Sequence, residues 1–213
     1  MKIIDLTHPI TPTMPVYPGT EQPGLVPACT IEKDGFRETK LTMYSHTGTH
    51  MDSPAHLFKQ GKTLDAFTPE YFYGPAMILD VSAKTGEIGV ADLVSYQEVL
   101  ARVNFLLLYT GWHNFWGDEK YFAGFPVLSP EAARWLTKFP LKAVGVDAIS
   151  IDQVTPTGTL PIHQTLLAND ILIVENLTNL NRLAGKKFIF CCLPLNIYQA
   201  DGAPVRAIAI INE

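Results

Sequence analysis

Three histidines and one aspartate lie within eleven consecutive residues of this chain. The segment reads HTGTHMDSPAH, and His46, His50, Asp52 and His56 share one parity. Imidazole and carboxylate groups are the common protein ligands of Zn²⁺ and of neighbouring transition metals. Residues of one parity point to the same face of a strand. The spacing therefore predicts a divalent-metal site on one face of an extended segment.

This segment must bend if its histidines are to share one ion. In a straight strand, the Cα atoms of His46 and His50 would lie about 13 Å apart. Both rings could then barely reach one metal at about 2 Å. A helical HxxxH arrangement is disfavoured, because the threonines beside Gly48 are poor helix formers and Pro54 ends a helix. Gly48 tolerates unusual backbone conformations, so we predict a strand that kinks there.

Short apolar runs alternate with helical patterns along the rest of the chain. The predicted strands are 36–44, 77–81, 105–109, 143–146, 171–174, 188–193 and 205–211. The predicted helices are 90–103, 130–138 and 161–168. The helix at 130 follows a Ser-Pro-Glu start, in which Ser129 is the cap. This alternation predicts an α/β fold with more strand than helix.

Composition limits the classes of protein to consider. The 213 residues are 47% hydrophobic and 17% charged, which predicts one folded domain over 1–213. The net charge of −5 and the lack of a basic stripe argue against a nucleic-acid partner. No apolar run approaches the roughly 20 residues that span a membrane. Cys29, Cys191 and Cys192 do not form a disulfide framework, so a reduced, cytoplasmic setting is expected.

Residues 46–56 also match HxGTHxDxPxH, the hallmark of the cyclase-like metal-dependent hydrolases, at every fixed position. That family includes bacterial kynurenine formamidases (arylformamidases) and isatin hydrolases. Further segments resemble family landmarks in the family's order. They are DLTHPI near the start, YPG at 17–19, TGW at 110–112, VGVDAISID at 144–152, VENL at 174–177 and LPL at 193–195. The resemblance therefore extends over nearly the whole chain.

The resemblance implies a fold, a metal site and an assembly. The fold would be a single swivelling β/β/α domain. One or two divalent ions would be present, usually Zn²⁺ and in some members Mn²⁺. By position, His46, His50 and Asp52 are the implied ligands of a first ion. Asp52 would bridge to a second ion held by His163 and Glu175. The implied assembly is a homodimer or a tetramer, in which a neighbouring subunit helps to close the site.

The implied reaction is the hydrolysis of a small-molecule aryl formamide such as N-formylkynurenine. Metal-bound hydroxide would attack the carbonyl carbon, with His56 as general acid/base. A serine mechanism would need a G-x-S-x-G elbow, which this sequence lacks. Formamidases of the family carry Trp before the early Pro-Gly, where this chain has Tyr17, a candidate substrate residue. Two alternatives stay open: hydrolysis of another small cyclic amide such as isatin, and metal binding without catalysis.

Several other residues could take part in chemistry but carry no specific signal. His8 and His113, taken singly, are interpreted as surface or satisfied core histidines. Trp112, Phe67 and Phe72 are candidates for an aromatic pocket wall, and are at least as compatible with an ordinary core.

Overall fold

The structure is a computed structural model that describes residues 1–156 and 158–211. Its strands are β1 (Lys2–Asp5), β2 (Gly24–Cys29), β3 (Glu38–Thr42), β4 (His50–Asp52), β5 (Tyr73–Asp80), β6 (Glu87–Ile88), β7 (Phe105–Tyr109), β8 (Val127–Leu128), β9 (Ala143–Val146), β10 (Leu172–Glu175), β11 (Phe188–Cys191), β12 (Gly202–Pro204) and β13 (Ile208–Ile211). Its α-helices are α1 (Ile31–Asp34), α2 (Val90–Leu93), α3 (Gln97–Leu100), α4 (Pro130–Leu136) and α5 (Pro161–Leu167). Its 3₁₀ helices are Pro54–His56, Leu64–Ala66, Pro69–Phe72, Val94–Tyr96, Trp112–Phe115, Glu119–Phe122 and Leu180–Leu183.

Within the described ranges, nine strands form one mixed, curled sheet. Their order is β1-β13-β11-β5-β7-β9-β10-β4-β12. The four strands β5, β7, β9 and β10 run parallel, and the strands on either side of them are antiparallel to their neighbours. The fold class is therefore α/β, with more residues in strands than in helices, as the sequence predicts.

Apolar layers cover both faces of the sheet. On β7, Leu106 and Leu108 pack in the layer that contains the buried side of α4 and α5. Phe105 and Leu107 point to the opposite layer, which includes Phe190. This alternation follows the two-residue period of a strand. Each of these buried side chains contributes roughly 1.5–3 kcal/mol through removal from water, which stabilises the central sheet.

Local sequence signals place several elements correctly. Strands β7 and β9 have the predicted bounds. Helix α4 begins after Ser129, whose hydroxyl oxygen accepts a hydrogen bond from the backbone N–H of Ala132 at 3.1 Å. The predicted helix at 90–103 is wrong in form, because it is divided into α2, a 3₁₀ turn and α3 and ends at Leu100. In the part of the chain that the structure describes, no helix is long and apolar enough to cross a membrane.

Strands β2 and β3 form a separate two-stranded antiparallel sheet, which we call the hairpin arm (residues 24–42). All five residues of β3 are exposed. Large apolar side chains on the arm and just beyond it are exposed as well: Val26, Ile31, Phe36, Leu41 and Tyr44. The arm thus presents apolar surface to water.

Candidate metal centre

The histidine-rich segment is not one continuous strand. Only His50–Asp52 forms a strand, and Pro54–His56 forms a 3₁₀ turn that starts with proline. The backbone bends at Gly48, which has a φ of +67°. The bend predicted at Gly48 is therefore confirmed, whereas the predicted strand extends too far in both directions. The cause is local, because glycine permits the left-handed conformation and Pro54 favours the first position of a helical turn.

Gly48 also orients its neighbour His50. The carbonyl oxygen of Gly48 lies 2.8 Å from His50 Nδ1 and accepts a hydrogen bond of 2.9 Å from Asn176 Nδ2. A carbonyl can only accept, so His50 Nδ1 carries a proton, and Nε2 is directed at the carboxylates of Asp52 and Glu175. A Cβ atom at position 48 would lie 3.0 Å from Met14 Cε, so the bend is tightly enclosed.

Gly48→Val is expected to weaken divalent-ion binding by about 10–100-fold, the usual effect of losing a group that orients a ligand. A branched side chain is strained at this φ and would displace the carbonyl that holds His50. Competition titration with a metal-binding dye measures the affinity. Gly35→Val is the matched control, because Gly35 also has a left-handed φ, of +78°, but a Cβ atom there would meet no other atom within 4 Å. Equal affinities in the two variants would contradict the role of the bend.

Two groups of ligand-capable side chains share Asp52. One consists of His46, His50 and Asp52, and the other of Asp52, His163 and Glu175. Within each group, the candidate ligand atoms lie within 4.8 Å of one another. Asp52 Oδ1 lies 2.6 Å from His46 Nδ1 and 3.2 Å from His50 Nε2. All five residues predicted as metal ligands are thus brought together.

The sheet and one helix assemble this cluster from distant parts of the chain. Strand β10 pairs with β4 so that Glu175 lies opposite His50. Glu175 is the last residue of its strand rather than the residue after it. His163 is the third residue of α5, and its Nε2 lies 3.2 Å from Glu175 Oε1 and 3.5 Å from Asp52 Oδ2.

His163 has a buried carboxylate partner that the sequence analysis missed. Asp152 Oδ2 lies 2.7 Å from His163 Nδ1 and accepts hydrogen bonds from the backbone N–H groups of Ile162 and His163. The carboxylate fixes the proton on Nδ1, which leaves Nε2 directed at Glu175 and Asp52. Pairs of this kind commonly orient metal-binding histidines. Asp152 is the last residue of the landmark segment 144–152, but nothing in the sequence pairs it with His163.

The burial and hydrogen bonding of Asp52 show whether the cluster suits a metal ion. Its side chain is 1% exposed, and its Oδ2 atom makes no hydrogen bond among the described residues. Oδ2 has an ion-pair contact of 3.5 Å with His163 Nε2, and a buried carboxylate oxygen without a hydrogen bond is costly in a folded protein unless another group satisfies it. A divalent cation would do so, and the donors around it are imidazole nitrogens and carboxylates, which such ions prefer. The residues therefore fit a divalent ion.

The charges of the cluster support the same conclusion. Burial opposes ionisation of Asp52, but His50, His46 and His163 outweigh it and hold the pKa of this carboxyl well below its usual value. Burial likewise opposes protonation of His46, yet Asp52 and Asp201 raise the pKa of its ring to about 9. Without an ion, protons on histidines balance the buried carboxylates. A bound cation would take over that role and release protons.

The cluster opens into a cavity of about 330 Å³. Its lining also includes the apolar or aromatic residues Val16, Tyr17, Ile149 and Leu160. This volume suits a small organic molecule. Tyr17, the candidate substrate residue, thus lies beside the metal-ligating cluster, whereas Trp112, Phe67 and Phe72 do not line this cavity.

His56 lies at the same cavity, next to the ligand-capable groups. Its ring centroid is 4.1 Å from that of His46 and 6.0 Å from that of His163. Burial lowers the pKa of His56. The negative charge of Asp52 opposes this shift, whereas His46 and His163 add to it. The ring is therefore neutral at pH 7 and able to accept a proton.

The two histidines without an expected role lie elsewhere. His8 stacks on Trp116, with ring centroids 3.8 Å apart. His113 Nδ1 lies 2.8 Å from Asp147 Oδ2, a buried carboxylate that also binds the backbone of Thr110. Neither histidine lines the cavity.

Solved structures share this fold. Isatin hydrolase A from Labrenzia aggregata, bound to benzyl benzoate, matches with a TM-score of 0.89 and 23% identity, over 100% of this chain and 94% of that one. This likeness concerns the fold alone. A protein described as a potential metal-dependent hydrolase with cyclase activity matches with a TM-score of 0.82 and 28% identity, over 100% and 98% of the two chains.

The fold, the shared-carboxylate site and the relatives define a metal-dependent hydrolase. A kynurenine formamidase of Bacillus cytotoxicus is 34% identical over 206 residues, which are 96% of this chain and 95% of that protein. Residues 4–153 match the model of the Cyclase family, described as "Putative cyclase". The chain belongs to this family, and the resemblance inferred from residues 46–56 is confirmed.

Proposed function

We propose that the protein hydrolyses the formyl C–N bond of an aryl formamide such as N-formylkynurenine, and releases formate and the free amine. The observation that carries this proposal is the cavity in which His56 faces two ligand-capable groups that share Asp52. The similarity to a kynurenine formamidase along the whole chain supports the substrate class.

The proposed ligands follow the two groups. His46, His50 and Asp52 hold one divalent ion, and Asp52, His163 and Glu175 hold a second. We propose Zn²⁺, although Mn²⁺ accepts the same ligand types. When bound, such an ion supplies an acidified water and positive charge near the substrate carbonyl.

His56 is the proposed acid/base. Its ring is neutral at pH 7, since burial lowers its pKa. It accepts a proton from the attacking water while the new C–O bond forms at the formyl carbon. It then donates that proton to the leaving nitrogen as the C–N bond breaks.

Tyr17 is the proposed contact for the aryl part of the substrate. Tyr17 lines the cavity together with the apolar residues Val16, Ile149 and Leu160. Flat aromatic groups pack well against such side chains. Tyrosine is smaller than the tryptophan that formamidases of the family carry at this position. We therefore expect this protein to differ from them in the size of the aryl group that it accepts.

We also propose a homo-oligomer, either a dimer or a tetramer. The hairpin arm exposes Phe36 and Leu41 at 55% and 56%, and contact with a second copy would remove this apolar surface from water. Light scattering after size exclusion measures the mass. A particle of 23.6 kDa, the mass of one chain, would contradict this proposal.

A cytoplasmic location and a single-domain organisation complete the proposal. Cys29, Cys191 and Cys192 are free thiols, which suit a reducing compartment. One sheet contains strands from both halves of the chain, which supports one domain over 1–213. Cell fractionation and a single cooperative unfolding transition are the respective tests.

The reaction is tested by a hydrolysis screen with Zn²⁺ or Mn²⁺ added. N-formylkynurenine, formanilide and isatin are the substrates, and Asp52→Asn is the control for background hydrolysis. We expect turnover of the aryl formamides at least about tenfold above that of isatin, which amounts to about 1.4 kcal/mol in transition-state binding. Faster turnover of isatin would favour the cyclic-amide alternative, and no turnover of any of the three would contradict the proposal.

A further inference from the structure

We propose that Asp201 and Gly202 form a seat that positions the His46 ring for metal binding. Asp201 is a positioning residue in this proposal, because it acts through His46. The proposal rests on the proposed function in so far as His46 is a ligand. Neither residue lies in a segment that the sequence analysis singled out.

The His46 ring lies between two carboxylates. Its Nδ1 is 2.6 Å from Asp52 Oδ1, within the first ligand group, and its Nε2 is 3.0 Å from Asp201 Oδ2. A carboxylate accepts hydrogen bonds, so without an ion both ring nitrogens of His46 donate, Nδ1 to Asp52 and Nε2 to Asp201. An ion beside Asp52 would replace the proton on Nδ1, and Asp201 would hold the ring in the form that keeps its proton on Nε2.

Gly202 makes room for the ring. A Cβ atom at this position would lie 2.5 Å from His46 Cε1, 2.8 Å from Nε2 and 2.9 Å from Nδ1. These contacts are too close for any side chain unless the ring moves. The ring therefore packs directly on the Gly202 backbone, which sets its position independently of the hydrogen bond to Asp201.

The backbone of the seat is attached to the same strand as Asp52. Gly202 lies opposite Asp52 in the antiparallel pairing of β12 with β4. The carbonyl oxygen of Asp201 accepts hydrogen bonds from both the backbone N–H and the hydroxyl of Ser53, each 2.9 Å long. The seat is thus fixed relative to the first ligand group.

Asp201 completes a pattern seen at His50 and His163, the other two histidines of the groups that share Asp52. His50 has its second ring nitrogen at the Gly48 carbonyl, and His163 has its second ring nitrogen at Asp152. The Asp201 side chain is 48% exposed, whereas that of Asp52 is 1% exposed. Asp201 also lies near His56, with 3.9 Å between Oδ2 and Nδ1, so direct ligation is the rival role.

Zn²⁺ titration of the full chain tests the seat, with ring ¹⁵N NMR of histidine-labelled, Zn²⁺-loaded protein as the second readout. Asp201→Ala should weaken Zn²⁺ affinity by about 10–100-fold at unchanged stoichiometry, and the His46 Nε2–H signal should be lost or mixed with the other ring form. Asp201→Asn keeps an acceptor oxygen and should retain most of the Zn²⁺ affinity and most of the His46 Nε2–H signal. Gly202→Ala should weaken binding as Asp201→Ala does. Asp80→Ala is the control, since Asp80 is exposed and binds Ser82.

The outcomes separate the seat from the proposed function. Wild-type affinity and an unchanged His46 signal in Asp201→Ala would overturn the seat and leave the proposed function standing. Loss of one bound Zn²⁺ per chain in Asp201→Ala would overturn the seat, because Asp201 would then be a direct ligand. Equal loss of affinity in Asp201→Asn and Asp201→Ala would also overturn it, because the charge of Asp201 alone would then explain the effect. If the wild type binds Zn²⁺ with the expected variant effects but hydrolyses no formamide, the seat stands and the proposed function fails.

Discussion

Asp52→Asn should leave the protein folded but unable to retain a divalent ion at either group. Asp52 is the one side chain that the two groups share, and its buried Oδ2 has no hydrogen-bond partner in the described chain. The amide keeps the volume of the side chain but loses the charge that attracts a cation. Metal analysis after gel filtration measures the effect, and hydrolysis should fall to background.

Asp152→Asn is the matched comparison for this variant, because Asp152 is also a buried carboxylate but would act on a bound ion only through His163. Asp152→Asn should weaken divalent-ion binding by about 10–100-fold. Asp52→Asn should weaken it by more than that. Thermal unfolding of both variants without metal checks that they fold. Wild-type ion content in folded Asp52→Asn would show that the shared carboxylate does not build the site.

His56→Ala should keep the bound ions and lose about 10²–10⁴-fold in kcat, the usual effect of removing a general acid/base. His56 lies in the cavity beside the two groups but belongs to neither group that contains Asp52. Its neutral ring is the group available to take a proton from water. Steady-state kinetics and metal analysis on the same preparation separate the two effects.

His8→Phe is the control for this second variant. The replacement keeps a flat ring to stack on Trp116, and His8 Nε2 has no hydrogen bond to lose among the residues described. Its turnover should match the wild type. Full turnover in His56→Ala, or loss of its ions, would contradict the assignment of His56 as the proton carrier.

Signals that act over a few residues made much of the fold predictable. The apolar run at 105–109 and the Ser-Pro-Glu start at 129–131 place β7 and α4, because burial of one strand and capping of one helix depend on neighbouring residues. The segment 90–103 has helical spacing but changes between α and 3₁₀ geometry, which the spacing of apolar residues does not distinguish.

The ligand-capable residues were predictable because most belong to one dense segment, and the need for a bend at Gly48 followed from the reach of two imidazole rings. The carboxylates that orient His163 and His46, which are Asp152 and Asp201, were not predicted in that role. Asp201 is 155 positions from His46 in sequence, and only the pairing of β12 with β4 brings them together. Register between distant strands depends on the packing of the whole sheet, so no local pattern predicts this contact.

The most direct test of the metal centre is anomalous diffraction from crystals grown with Zn²⁺ or Mn²⁺. We expect an anomalous peak about 2.0–2.2 Å from the Asp52 carboxylate, in contact with His46 and His50 or with His163 and Glu175. A map with no peak at Asp52, from crystals that hold the ion elsewhere, would contradict the assignment of this cluster as the metal centre.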